Sequence, residues 1–169
     1  IKKLRPGNSS CLPGPNVLDI CRMADIVFMA LHGADGENGK LQAAFDILGI
    51  KYTGSGSLGS ALAMDKLVSK KILKESGIPV PEGFTVTRKT KEDRFPAFPC
   101  VVKPCSGGSS VGVSIANDKE EYMEALETAF RYEDVILVED YIKGREFSTG
   151  VIDGKACPVI EIIPKQGFY

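Results

Sequence analysis

The chain is poor in the residues that hold structural metals. It has one histidine and five cysteines, Cys11, Cys21, Cys100, Cys105 and Cys157, with no C-x-x-C pair among them. Structural zinc sites draw on closely spaced Cys and His, so none is expected here. An odd number of cysteines, two of them on an apolar strand and a helical face (Cys100 and Cys21), reads as reduced, space-filling thiol in a cytoplasmic protein. Cys105 lies in a loop where it can meet a ligand, but no basic neighbour marks it as a nucleophile. Charge of one sign is also lacking. The net charge is −1, which points to neither nucleic acid nor a membrane surface. No apolar run approaches the ~20 residues of a membrane helix, and the start does not read as a signal peptide. Internal repeats and low-complexity segments are absent. What is present is the composition of a soluble globular protein, 43% hydrophobic and 25% charged, over 169 residues. That length suits one ordinary domain or two small ones. The chain begins at Ile1 in a basic, Pro/Gly-rich stretch and ends at Tyr169 soon after a strand-like segment. Both ends read as cut, so a larger protein is expected.

The most informative stretch runs from Cys100 to Val113. An apolar run ends in Lys103-Pro104, a small-residue loop follows, and a second apolar run spans Val111 to Ile115. The pattern predicts strand, loop, strand. Gly107, Gly108 and Gly112 let backbone fold closely over a ligand. Free amides with the Ser109 and Ser110 hydroxyls can then surround phosphate oxygens, and Lys103 adds a positive charge. This is not a P-loop, in which the lysine follows the glycines and opens a helix. By loop composition alone, an ordinary mobile hairpin with a surface lysine is the better reading.

The rest of the chain reads as α/β. Residues 1–16 are loop, and 16–25 carry a short helical pattern. Ile26 to Leu31 is a continuous apolar run, the mark of a buried parallel strand. It delivers His32, Gly33, Asp35, Gly36, Glu37, Asn38 and Gly39 at its end, where open α/β sheets bind ligands. A helix with Leu41, Ala44, Phe45 and Leu48 on one face follows and stops at Gly49. Gly54, Gly56 and Gly59 spell a literal G-x-G-x-x-G, but Pro79 and Pro81 stand where the second strand of a dinucleotide site belongs. A linker is the better reading. Residues 60–76 predict one helix, with Lys66, Lys70, Lys71 and Lys74 away from its apolar side. A solvated face is the plain meaning of such a stripe. Phe84 to Thr87 is a short strand. Asp118 with Glu121 has the form of a capping box. Val135 to Val138 is a buried strand ending in Glu139-Asp140-Tyr141. A strand from Gly144 through Ile152, a turn at Asp153-Gly154 and a partner over Ala156 to Ile163 complete the pattern.

A lysine-bearing helix, a strand lysine before a glycine loop, a strand-end glutamate and a second glutamate seven residues later have one joint explanation, a nucleotide site. The lysines and loop would take the phosphates, Glu139 the adenine edge and Glu146 the ribose hydroxyls. Taken singly, both glutamates read as solvated strand ends.

Specific motifs then give a resemblance. Ala30-Leu31-His32-Gly33 with Gly36-Glu37 and Gly39, Tyr52-Thr53-Gly54-Ser55, Met64-Asp65-Lys66, Val102-Lys103-Pro104 with Gly108-Ser109-Ser110-Val111-Gly112, Glu139, and Glu146-Phe147 occur in order over nearly 24–169. In this the chain resembles the D-alanine–D-alanine ligases, ATP-grasp enzymes of bacterial cell-wall synthesis. The first 23 residues match poorly. The resemblance implies an α/β, ATP-grasp fold: a Rossmann-like remnant over 1–54, a central α+β lobe over 55–137, and the start of a C-terminal domain over 138–169. It implies that Lys66, Lys103, Gly108, Ser109, Ser110 and Val111 meet ATP phosphates. Glu139, Asp140, Tyr141 and Ile142 would line the adenine, and Glu146 the ribose. His32 and Glu37 would bind the first D-alanine, with His32 and Ser109 in catalytic roles. The reaction implied is phosphorylation of one D-alanine carboxylate by ATP and attack on the acyl phosphate by a second D-alanine. Positioning and charge neutralisation would supply most of the catalysis. The family's early glutamate, late arginine and Mg2+ ligands are expected outside Ile1–Tyr169, so no metal ligand is assigned and this chain alone is expected to be inactive. Another ATP-grasp carboxylate–amine ligase and a catalytically silent nucleotide-binding module stay open, as does the choice of D-alanine, D-lactate or D-serine as second substrate. A homodimer is the implied assembly.

Overall fold

The computed structural model describes residues 13–14, 16–91, 94–108 and 110–164. The chain divides into two compact units, Ile1–Pro79 with Cys105–Ser109, and Val80–Pro104 with Ser110–Tyr169. Among the described residues no helix is long and apolar enough to cross a membrane.

In the first unit, α1 (Val17–Arg22) leads to an extended segment, then α2 (Ala34–Glu37), α3 (Lys40–Leu48), α4 (Ser57–Met64) and α5 (Lys66–Glu75). The predicted α3 stripe forms the core here: Leu41, Phe45 and Ile50 are buried, and Leu18, Val27, Met29 and Tyr52 pack on them. Gly49 ends α3 in the left-handed conformation, as expected. The apolar run Ile26–Leu31 departs from expectation. It makes one parallel bridge, Val27 to Tyr52, held by the Val27 amide on the Lys51 carbonyl at 2.8 Å and the Thr53 amide on the Val27 carbonyl at 3.0 Å. The Thr53 hydroxyl accepts from the Met29 amide at 2.9 Å. Only alternate residues pack inward. Ile26 and Phe28 are 56% and 79% exposed.

The single helix predicted over 60–76 is two. Asp65 sits between them in extended backbone, φ −85° and ψ 106°, and its carboxylate accepts from the Leu67 and Val68 amides at 2.9 and 3.0 Å. The apolar spacing runs through both helices and hides the break, whereas an aspartate in this place is a helix-starting cap.

The second unit is built on a four-stranded antiparallel sheet of order β1-β4-β2-β3, with β1 Gly83–Thr87, β2 Cys100–Pro104, β3 Ser114–Ala116 and β4 Val135–Asp140. The predicted hairpin around the glycine loop is therefore present, although its second strand starts at Ser114 rather than Val111. One face, with Val86, Cys100, Val102, Ile136 and Val138, packs on α6 (Lys119–Ala129) through Tyr122, Ala125, Leu126 and Ala129. Cys100 is fully buried, and burial pushes its thiol pKa up, which suits the space-filling reading. Asp118 caps α6 by accepting from the Glu120 and Glu121 amides. Glu121 reaches back one residue further than a capping box does, to the Asn117 amide at 2.7 Å. The strands predicted over 144–163 are broken into two pairs. β5 (Glu146–Ser148) pairs with β8 (Ile160–Ile162), and β6 (Val151–Ile152) pairs with β7 (Lys155–Ala156). Asp153 and Gly154, both at positive φ, form the turn between the inner pair.

Tyr122 is fully buried and its hydroxyl has no hydrogen-bond partner. Tyr122→Phe is expected to match the wild type in denaturant unfolding or exceed it by about 1 kcal/mol, since a buried unmet hydroxyl opposes folding. Burial also pushes its phenol pKa up to about 12, while the unfolded phenol ionises near ~10. The unfolded chain then loses that proton first as pH rises. Wild-type stability should fall between those two values, and the phenylalanine variant should lack this component.

Candidate active site

The residues singled out by sequence fall in two groups, one on each unit. In the first, a cavity of about 520 Å³ is walled by Glu37 at the end of α2, Gln42 of α3, Gly54-Ser55, Ser60 of α4, Lys66 and Gly107-Gly108. Lys66 reaches it because the Asp65 cap starts α5 there. The Lys66 amide donates to the Cys105 carbonyl at 2.9 Å. Its ammonium donates to the carbonyls of Gly107 at 2.8 Å and Ser106 at 3.3 Å. A loop of nearly side-chain-free residues is thus held at a cation that can also meet phosphate. Cys105 itself is buried beside this loop. Glu37 is folded back on its own turn, accepting from the Gly33 amide at 2.6 Å. His32 is exposed and does not line the cavity. Ser109 lies outside the described residues.

In the second unit the sheet face opposite α6 carries the other group. The register sets Val101 beside Glu139 and Lys103 beside Leu137. Side chains of odd number on β2 and β4 therefore share this face. Lys103 and Glu139 form an ion pair diagonally across it, with Glu139 only 4% exposed. The two residues read separately as a phosphate ligand and an adenine ligand stand here as partners. Past the hairpin tip, Ser110 holds φ +55°, a left-handed conformation uncommon outside glycine. Gly112 is at φ +72°, and a Cβ there would fall 2.9 Å from the Pro104 ring. Val111 is exposed. From the last residue of β4 the chain is exposed through Asp140, Tyr141 and Ile142. The Asp140 amide donates to the Glu82 carbonyl at 3.0 Å. Glu146 lies exposed on β5 opposite Ile162. Among the described residues, no group of three or more His, Cys, Asp and Glu side chains is placed to hold a metal ion.

Gln42, Ser55 and Ser60 were not anticipated. Gln42 had a signal: a polar residue beside Leu41 on the face that α3 buries.

Comparison with known proteins decides the family. Family models described as D-ala D-ala ligase N-terminus and C-terminus match residues 6–55 and 72–169. The chain belongs to the D-alanine–D-alanine ligase family. A D-alanine–D-alanine ligase of Lacticaseibacillus casei is 51% identical over the whole chain, which covers 48% of that protein. The crystal structure of the Bacillus anthracis D-alanine–D-alanine ligase matches with a TM-score of 0.79 at 39% identity, over 89% of this chain and 51% of that one. The same ligase complexed with ATP matches with a TM-score of 0.77 at 38% identity, over 90% and 53%. The fold is accordingly α/β of the ATP-grasp type. The chain spans about half the length of the ligases it matches.

The Lys103–Glu139 pair generates a stability prediction. Exposed pairs such as Lys91–Glu127 contribute little, but removing the cation beside a buried carboxylate is costly. Lys103→Met is expected to lose roughly 3 kcal/mol in denaturant unfolding, and Lys103→Met with Glu139→Gln to regain most of it. Additive losses in the double variant would mean that the two side chains are not coupled.

Proposed function

We propose that the protein containing this chain joins two D-alanines to D-alanyl-D-alanine at the expense of ATP, for peptidoglycan synthesis in the cytoplasm. The observation that carries the reading is the first unit's cavity, walled by Glu37, Lys66 and the glycine loop, in a chain 51% identical to a ligase of that name. In this reading a carboxylate oxygen of the first D-alanine attacks the γ-phosphorus of ATP and ADP departs. The amine of the second D-alanine attacks the acyl phosphate carbon, phosphate leaves, and the amine gives up a proton.

Two like-charged reactants must approach each other in the first step, and fixed cations lower that barrier. Lys66, Lys103 and the loop residues Gly108, Ser109, Ser110 and Val111 are assigned to the phosphates. Glu139, with Asp140, Tyr141 and Ile142, is assigned to the adenine, and Glu146 to the ribose. Glu37 and His32 are assigned to the first D-alanine, with His32 and Ser109 assisting the chemistry. For Glu139 the assignment requires that Lys103 exchange part of its pairing for phosphate. Mg2+ bound with ATP would add further positive charge at the phosphates. The expected boundaries stay at 54/55 and 137/138, and the expected assembly is a homodimer.

The test is ADP release by the full-length protein with ATP and D-alanine, and identification of the product by mass. D-alanine-dependent release with D-alanyl-D-alanine formed is the expected result. Release that requires a different carboxylate or amine would make it another carboxylate–amine ligase. ATP binding without amino-acid-dependent turnover would make it a nucleotide-binding module. Lys66→Ala, which removes the ammonium from the glycine loop, is expected to lower kcat/KM by about a hundredfold or more.

A further inference from the structure

We infer that Gln42 is a positioning residue for the first amino-acid substrate, acting by fixing the turn that presents Glu37 to the cavity. The inference rests on the proposed placement of that substrate at Glu37. The turn from Gly33 to Glu37 is closed on itself. The Gly33 carbonyl accepts from the Gly36 and Glu37 amides at 3.1 and 3.0 Å, and the Glu37 carboxylate accepts from the Gly33 amide. Those bonds give the turn its shape but do not tie it to its neighbours. Among the described residues, two polar contacts tie it to α3. One is an exposed Lys40–Asp35 pair at 3.7 Å, long and open to water, and worth little. The other is buried: the Gln42 side-chain amide donates to the Gly36 carbonyl at 2.9 Å. At Gly36 the backbone also lies so close to Leu31 that a Cβ would fall 2.6 Å from the Leu31 Cβ. The residue gripped by Gln42 is therefore also packed tightly on Leu31.

Gln42 is a poor residue for packing alone. It is only 6% exposed, and its Oε1 is buried without a hydrogen-bond partner. The carbonyl of Gly36 fixes which end of the amide points to it, because only the NH2 end can donate. An apolar residue at position 42 would keep the core with Leu41 and Phe45 and remove the unmet Oε1, at the cost of leaving the Gly36 carbonyl without its donor. A side chain kept against the packing preference, lining the cavity and holding the backbone next to Glu37, is explained by what it positions. Displacing a binding carboxylate by a fraction of an ångström weakens substrate orientation far more than it disturbs the fold.

The test uses the full-length protein and Gln42→Leu, with Gln42→Met as a second apolar variant of similar length. The expected result is a thermal midpoint close to that of the wild type, because the loss of the unmet Oε1 offsets the loss of the Gly36 hydrogen bond. KM for the first D-alanine should rise by about tenfold or more, because its carboxylate partner is no longer held. KM for ATP should stay within about twofold, because Lys66 and the glycine loop are untouched. Lys40→Ala, which removes only the exposed pair, should leave all three unchanged. An unchanged KM for D-alanine, or equal rises for D-alanine and ATP, overturns the inference. Failure of both apolar variants to fold also overturns it, since Gln42 would then be needed for the core itself. If the wild-type protein shows no D-alanine-dependent ADP release, the proposed function fails first and takes this inference with it.

Discussion

The two-residue alternation of β4 governs the second unit. Flanked by β1 and β2, the strand has no free edge. Its even-numbered residues, Ile136 and Val138, are committed to the core under α6. Leu137 and Glu139 are thereby forced to the opposite face, and both are buried there. A carboxylate in such a place must be paired or hydrogen-bonded. The antiparallel register with β2 supplies Lys103 on the same face. A slip of one residue would send Glu139 into the hydrophobic core and Val138 out of it. The core and the polar pair therefore specify the same register.

The first unit obtains its chemistry from element ends. Glu37 closes a one-turn helix, Lys66 opens a longer one, and Gly107-Gly108 are loop. None of these groups contributes to the packed core, which leaves them available for ligands. Each is nonetheless held by a specific bond: Asp65 caps the helix that Lys66 starts, Gln42 grips the turn that carries Glu37, and Lys66 holds the loop carbonyls. Supported groups of this kind lose little freedom when a ligand arrives. The lysine–carbonyl bonds must partly exchange for phosphate if nucleotide binds as proposed, so the loop and the nucleotide compete for one ammonium.

What the sequence made legible is what depends on near neighbours in the chain. The apolar stripe of α3 and its stop at Gly49, the cap of α6 at Asp118, the hairpin around the glycine loop and the Asp153-Gly154 turn all follow from backbone preferences and from periods of 3.6 or 2. The order of the family's motifs along 24–169 was legible for the same reason, since each motif is a short local pattern. The errors arose where two local signals competed. The helical spacing over 60–76 runs unbroken past Asp65, and the cap won because its carboxylate satisfies amides that a continuous helix would have paired otherwise. The run Ile26–Leu31 reads as a strand buried on both faces, yet one bridge covers it.

Sequence alone thus determined most of the elements, the glycine loop and the residue types available for binding, because steric and hydrophobic preferences act within a few residues. Tertiary structure decided which of those residues meet. The pairing of Lys103 with Glu139 depends on register between strands more than thirty residues apart in the chain. The grip of Lys66 on Gly107 spans 41 residues. The exposure of His32 and the burial of Gln42 depend on what packs around them. Such contacts are set by the joint packing of distant segments, and no local preference encodes that.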